Sequence, residues 1–168
     1  MIHHFNIPPK WNILDYTNLD YKADFHKDQE LVDTYVKAGH SKSAIALYNY
    51  FEPNPMPSSI EYIKGYFNLQ CTSVAVNKFT PGQYLPVHCD LYQAYKTHYN
   101  LDNNQVIHRY IIMLEDGTDG QMLTIENDTH TMWKAGDAFG WKDCDKHTFY
   151  NMSLKDRYAV QLTGIQTQ

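Results

Sequence analysis

The sequence predicts a mainly β fold with helices, an antiparallel barrel or jelly roll with N-terminal helices packed outside it. Three observations predict it. From residue 71 onward, short β-prone runs alternate with Gly, Pro and Asp turn signals, and no helical run separates them. Helical spacing of apolar residues is confined to the first 70 residues, where amphipathic faces suit a layer covering a sheet. Fourteen tyrosines, seven phenylalanines and three tryptophans in 168 residues suit half-buried β surfaces with polar tips. One domain over residues 1–168 is the simplest organisation, with an arm and helical layer over 1–70 and a β core over 71–168. A chain of this size buries roughly 70% of its unfolded surface without covalent staples.

Taken in order, residues 1–25 are rich in Pro, Asn and Tyr; Pro8-Pro9 blocks a helix, and Trp11, Ile13 and Leu14 suggest one short extended piece. Residues 28–38 carry Leu31, Val32, Tyr35 and Val36 at helical spacing, stopped by Gly39. Ser41 is positioned to cap a second helix presenting Ala44, Ile45, Tyr48 and Phe51, ended by Pro53 and Pro55. A third helix follows Pro57, with Ser58 and Glu61 at capping-box spacing, and runs through Ile63 and Phe67. Strands are then expected over 72–79, 85–90, 106–114 and 121–126, and after the Ala135-Gly136-Asp137 turn over 138–141, 147–151 and 157–163. Residues 91–105 are a polar, Tyr- and Asn-rich connection, long enough to be a lid or binding loop.

A formal net charge of -5 argues against broad, charge-driven nucleic-acid binding, which needs a basic stripe. Cys71, Cys89 and Cys144 are too few and too scattered for a disulfide framework or a zinc site, and a reduced compartment is expected. Strand alternation turns Cys89 toward core packing. No apolar run is long enough to span a bilayer, and the first residues lack a leader pattern, so a soluble, cytoplasmic protein is expected. His3 and His4, near a chain end, are given no role.

The chemistry centres on Pro81-Gly82-Gln83-Tyr84-Leu85-Pro86-Val87-His88-Cys89-Asp90. On an extended strand, residues i and i+2 share a face, so His88 and Asp90 offer an imidazole and a carboxylate to one point. With His147 as a second histidine they would make a two-histidine, one-carboxylate site, which suits non-haem Fe(II) and leaves coordination positions open. Alone, an H-x-D pair is common. Ten positions after His147 comes Arg157, which on a last barrel strand would point inward with Ala159 and Gln161. A buried guanidinium requires an anion, and a planar carboxylate suits its donor fork.

On these residues the stretch over 72–164 resembles the Fe(II)- and 2-oxoglutarate-dependent dioxygenases, whose fold is a double-stranded β-helix of the cupin-like, jelly-roll kind. The carriers are the Pro81 to Asp90 stretch, the Ala135-Gly136-Asp137 turn and the spacing from His147 to Arg157. The segment from His147 to Ser153, with Arg157-Tyr158, is most similar to prolyl hydroxylase and aspartyl/asparaginyl β-hydroxylase relatives. The resemblance implies that His88, Asp90 and His147 hold iron and that Arg157 pairs with the distal carboxylate of 2-oxoglutarate. It implies hydroxylation by O2 (dioxygen) of an amino acid or a peptidyl residue, coupled to decarboxylation of 2-oxoglutarate, with residues 91–105 as the lid. Tyr84, four residues before His88 and so expected on the same strand face, and Asn77, on the preceding strand, are candidates for a hydrogen bond to the co-substrate, or for simple packing or a surface amide. Arg109, conspicuous in an apolar run, is a candidate contact for a substrate carboxylate, or an outward-facing residue. Tyr92, Tyr95, His98 and Tyr99 are candidate substrate contacts.

Two features depart from the pattern of some relatives. Where some carry a serine two residues after the arginine, this chain has Ala159, and Asp90 is present where some β-hydroxylase relatives lack the carboxylate. The alternatives are a cupin-like metalloenzyme that uses no 2-oxoglutarate and a noncatalytic β-sandwich binding module. The expected partner is a small-molecule or peptide substrate.

Overall fold

A computed structural model describes residues 3–166 except Lys27, Pro53, Asn103 and Asp143. Its strands are β1 (His3–Asn6), β2 (Lys22–Phe25), β3 (Ala46–Phe51), β4 (Leu69–Phe79), β5 (Tyr84–His88), β6 (Ile107–Met113), β7 (Gln121–Ile125), β8 (Asp128–His130), β9 (Asp137–Lys142), β10 (His147–Asn151) and β11 (Arg157–Gln166). Its α-helices are α1 (Leu14–Thr17), α2 (Gln29–Lys37), α3 (Ser59–Lys64) and α4 (Gln93–Tyr99). Seven strands form one sheet in the order β1-β9-β6-β11-β4-β3-β2, and four form a second in the order β5-β10-β7-β8. Together they make the expected double-stranded β-helix, mostly β with few helices.

Alternation along β11 sorts its residues between two cores. Ala159 faces the space between the sheets, where Phe79, Ile111, Met113 and Trp141 of the larger sheet meet Leu123, Ile125 and Phe149 of the smaller. Tyr158, Val160 and Leu162 face the outer side, under Tyr16 of α1 and Ile60 and Ile63 of α3. Val32 of α2 packs instead with Ile45 and Tyr84. The helices thus lie outside the β structure, as their amphipathic patterns require.

Helix α2 matches its sequence signals: the Asp28 carboxylate accepts a bond from the Leu31 amide at 3.0 Å, and Gly39 closes the end at φ 99°. The third expected helix forms but stops at Lys64, short of Phe67, and Ser58 makes no side-chain cap bond. The second expected helix is a correction. Residues 42–44 make a single 3-10 turn, and Ala46–Phe51 is β3, with Tyr48 opposite Lys78 and Asn49 opposite Asn77. Tyr48, Tyr50 and Phe51 suit a pleated surface, and the long edge of β4 offers them a ladder, so tertiary pairing overrides the helical spacing. Of the two prolines expected to end that helix, Pro53 lies outside the described residues.

The N-terminal arm also contributes more than packing. It supplies β1 against β9 and β2 against β3, the two edge strands of the larger sheet. The extended piece expected at Trp11 to Leu14 is instead the approach to α1, where the Trp11 indole donates to the Leu114 carbonyl at 2.9 Å. Residues 91–105 contain α4 rather than loop alone. The Tyr95 hydroxyl donates to the Cys71 carbonyl and that of Tyr99 to the Thr72 carbonyl, at 2.9 Å, fixing the helix over the start of β4. Among the described residues, no helix is long and apolar enough to cross a membrane.

Candidate functional site

Strand β5 ends at His88, and β10 begins at His147; the two residues stand opposite each other in the ladder, with ring centroids 4.3 Å apart. Asp90 follows just beyond the end of β5. Its Oδ1 lies 4.0 Å from His88 Nε2 and its Oδ2 lies 3.4 Å from His147 Nε2. One potential ligand atom from each residue lies within 4.8 Å of the others, a grouping that could hold a metal ion.

Both imidazoles are oriented from behind. His88 Nδ1 bonds the Pro86 carbonyl at 2.7 Å and His147 Nδ1 that of Asp145 at 3.1 Å. A carbonyl only accepts, so each Nδ1 carries a proton, and in each ring Nε2 is the nitrogen that faces Asp90 and is placed to ligate a metal. Burial pushes the His147 pKa down to about 4 against the opposing pull of Asp90, so this ring is neutral at neutral pH. Burial opposes charge on Asp90, but Arg109 and then the two imidazoles more than offset it and hold the carboxyl below its usual range. Trp141 packs on His147, with ring centroids 4.6 Å apart.

Arg157 occupies the inter-sheet core, as its spacing predicts, and is 2% exposed. Its guanidinium lies 3.8 Å from the Phe149 ring centroid, 5.5 Å from that of Phe79 and 5.6 Å from that of Trp133, and Nη2 contacts Met113 Sδ at 2.9 Å. Its Nε has no hydrogen-bond partner, and no carboxylate among the described residues forms an ion pair with it. Burial pushes its pKa down to about 9, with Glu115 pulling the other way, so it remains charged at neutral pH. Phe149, whose ring the cation covers, is two residues and so roughly 7 Å along β10 from His147, and it shares that residue's face.

The remaining candidates divide. Asn77 faces the interior beside Ala159 but donates its amide to Asn49 Oδ1, and Asn49 donates in turn to Asp24 at 2.7 Å. Arg109 also faces inward, yet it is paired with Asp90, Nη1 to Oδ2 at 2.6 Å. Tyr84 is a correction. Sharing a face with His88 requires unbroken alternation, whereas the β5 and β10 register shifts: Phe149 pairs with Leu85, leaving one extra residue on β5 before His88. The extra residue turns Tyr84 outward, where its hydroxyl bonds His40 at 2.6 Å. Pro86, which cannot donate to a ladder, is the residue that marks such a bulge. Cys89, expected in the core, lies past the strand end and is half-buried, its thiol donating to the Cys144 carbonyl at 3.4 Å.

Two neighbours of the site escaped the sequence reading. His26 sets its ring edge-on to His88 at 4.6 Å, with a pKa lowered by burial and then by His88. It follows β2, a strand whose signal is too short to place it. The Tyr92 hydroxyl donates to Asp90 Oδ2 at 3.1 Å, so a residue expected at the substrate touches a candidate ligand instead.

No protein-family model matches this sequence, and no curated protein matches it. Its fold is similar to those of a Pseudomonas putida prolyl-4-hydroxylase and a candidate sugar phosphate isomerase from Acidithiobacillus ferrooxidans. The first has a TM-score of 0.55 at 12% identity over 92% of this chain and 97% of that one. The second has 0.51 at 13% identity over 92% and 73%. The cupin domain of Schizosaccharomyces pombe Cnp3 has a TM-score of 0.45 at 11% identity, over 71% and 65%. At such identities the first two likenesses speak for the fold alone.

Proposed function

We propose that the chain is a non-haem Fe(II) dioxygenase that couples decarboxylation of 2-oxoglutarate to hydroxylation of an amino acid or a peptidyl residue. The observation that carries this reading is Arg157. The guanidinium is buried against three aromatic faces and a thioether with no carboxylate of the described residues bonded to it, and its Nε is left without a hydrogen-bond partner, a donor fork that suits an anion. Its place against Phe149, on the face of β10 that His147 shares, suits a dicarboxylate that reaches from the histidine cluster to the guanidinium.

The donor set fits the metal: two imidazoles and one carboxylate suit Fe(II) and leave positions for other ligands. When bound, the iron with 2-oxoglutarate supplies the oxidising chemistry that the side chains lack. The chain's own residues hold and orient. His88, Asp90 and His147 would hold the metal, with both imidazoles fixed by their Nδ1 bonds. Arg157 would hold the far carboxylate of the co-substrate, while Phe79, Phe149 and Trp133 keep water from that pair.

Anaerobic Fe(II) titration with and without 2-oxoglutarate tests the reading. We expect metal binding, a weak visible chelate band that requires 2-oxoglutarate, and succinate release on admitting air. Arg157→Met should retain iron and lose the band at co-substrate concentrations that saturate the parent. Iron binding with no band and no succinate would instead favour a cupin-type metalloenzyme independent of 2-oxoglutarate. Absence of metal binding would favour a binding module.

A further inference from the structure

We infer that Arg109 and Tyr92 are positioning residues for Asp90, holding its Oδ2 so that Oδ1 is left for the metal, and that through Tyr92 the metal site is mechanically joined to α4. This rests on the metal reading above. Two donors of different kinds converge on a single oxygen: Arg109 Nη1 at 2.6 Å and the Tyr92 hydroxyl at 3.1 Å both reach Oδ2. Oδ1 receives no hydrogen bond from a described residue and lies 4.0 Å from His88 Nε2. A carboxylate lying beyond the end of its strand has no ladder to fix its rotamer, so donors from elsewhere must do it.

The guanidinium is itself held in place. Its Nε donates to Thr163 Oγ1 at 3.2 Å, directly across the β6–β11 ladder, and its face lies over the Tyr92 ring at 4.8 Å. A cation that merely filled the metal's place would need neither the threonine nor an uncharged second donor. The two explanations give opposite signs. Positioning makes Arg109 favour metal binding; simple occupation of the site makes it compete, because a fixed guanidinium repels a divalent ion.

Tyr92 carries the link to the helix. It sits in the left-handed region at φ 53°, immediately before α4, and its carbonyl accepts the Lys96 amide at 2.8 Å. The far side of α4 is tied by Tyr95 and Tyr99 to the carbonyls of Cys71 and Thr72. Fixing Asp90 on a metal therefore fixes the first turn of α4.

The test is Co(II) titration of the metal-free protein, followed by visible d–d absorption, for the parent, Arg109→Met, Arg109→Lys and Tyr92→Phe. Hydrogen exchange of residues 93–99 is measured with and without Co(II). We expect Arg109→Met to weaken Co(II) roughly 10- to 100-fold, with Arg109→Lys restoring part of the loss. Tyr92→Phe should weaken it less, and abolish the slowing of exchange over 93–99 that Co(II) causes in the parent. Equal or tighter Co(II) binding by Arg109→Met overturns positioning. If that variant does not fold, Tyr92→Phe decides: unchanged affinity together with unchanged exchange overturns the inference. A parent that binds no Co(II) sinks the metal reading itself, a distinct result.

Discussion

Arg157 is costly to the fold, and in the proposed function it is the residue that holds the co-substrate. A buried charge lacking its counter-ion destabilises the protein before any ligand arrives, and replacement of such groups by apolar side chains of similar length is often neutral or stabilising by roughly 1–4 kcal/mol. Arg157→Met is therefore expected to raise the unfolding temperature in the absence of 2-oxoglutarate, while losing the rise that saturating 2-oxoglutarate gives the parent. Differential scanning calorimetry on the two proteins, with and without the dicarboxylate, measures both; a parent insensitive to 2-oxoglutarate would count against the anion pocket. At this scale the site was largely legible, because His88, Asp90 and Arg157 declare themselves by residue type and spacing. Tyr84 was misplaced by trusting alternation across Pro86, although a proline inside a strand is the local warning of a bulge. His26 gave no warning at all, since its position depends on where an edge strand docks.

Among the elements, β1 shows how a glycine can hold an arm in place. Gly136 lies at φ 91°, and a Cβ there would come within 1.9 Å of the Ile7 carbonyl oxygen. The same turn receives the Ile7 amide at 2.8 Å and places Asp137 to accept from Asn6 at 2.9 Å. Gly136→Ala combines left-handed strain with a backbone collision, so a loss of roughly 3 kcal/mol or more is expected, with β1 released from β9. Urea unfolding gives the first quantity, and exchange of the Phe5 and Ile7 amides the second; a loss below about 1 kcal/mol would show that the arm simply shifts aside. The Ala135-Gly136-Asp137 turn was visible in the sequence, but its partner was not. Strands such as β1 and β3 exist because a neighbouring edge needs pairing, which their own residues express only weakly.

For the molecule as a whole, burial of a neutral histidine in the site links stability to pH. The folded pKa of His147, about 4, lies below its ordinary value of 6.5, so between those values the unfolded chain holds the extra proton. Stability of the metal-free protein should fall as pH drops from 6.5 to 4, by a contribution on the order of 3 kcal/mol from this residue. Denaturant titrations across that range should show the slope in the parent and a shallower one in His147→Gln; parallel slopes would assign the loss elsewhere. The sheet architecture was legible from the turn spacing of the C-terminal half. The assignment of edges was not, because three strands of the larger sheet come from residues expected to be arm and helix.

The three tryptophans are distributed in a way that gives the protein its own optical probes. Trp141 rests on His147, Trp133 on the Arg157 guanidinium, and Trp11 is bonded to the Leu114 carbonyl on the outer side of the larger sheet. A paramagnetic ion at the histidines should quench the emission of Trp141, and a dicarboxylate arriving at the cation should shift that of Trp133, with Trp11 as a steady background. Single Trp→Phe replacements would separate the signals, so occupancy of each half of the site becomes readable without label, substrate or turnover.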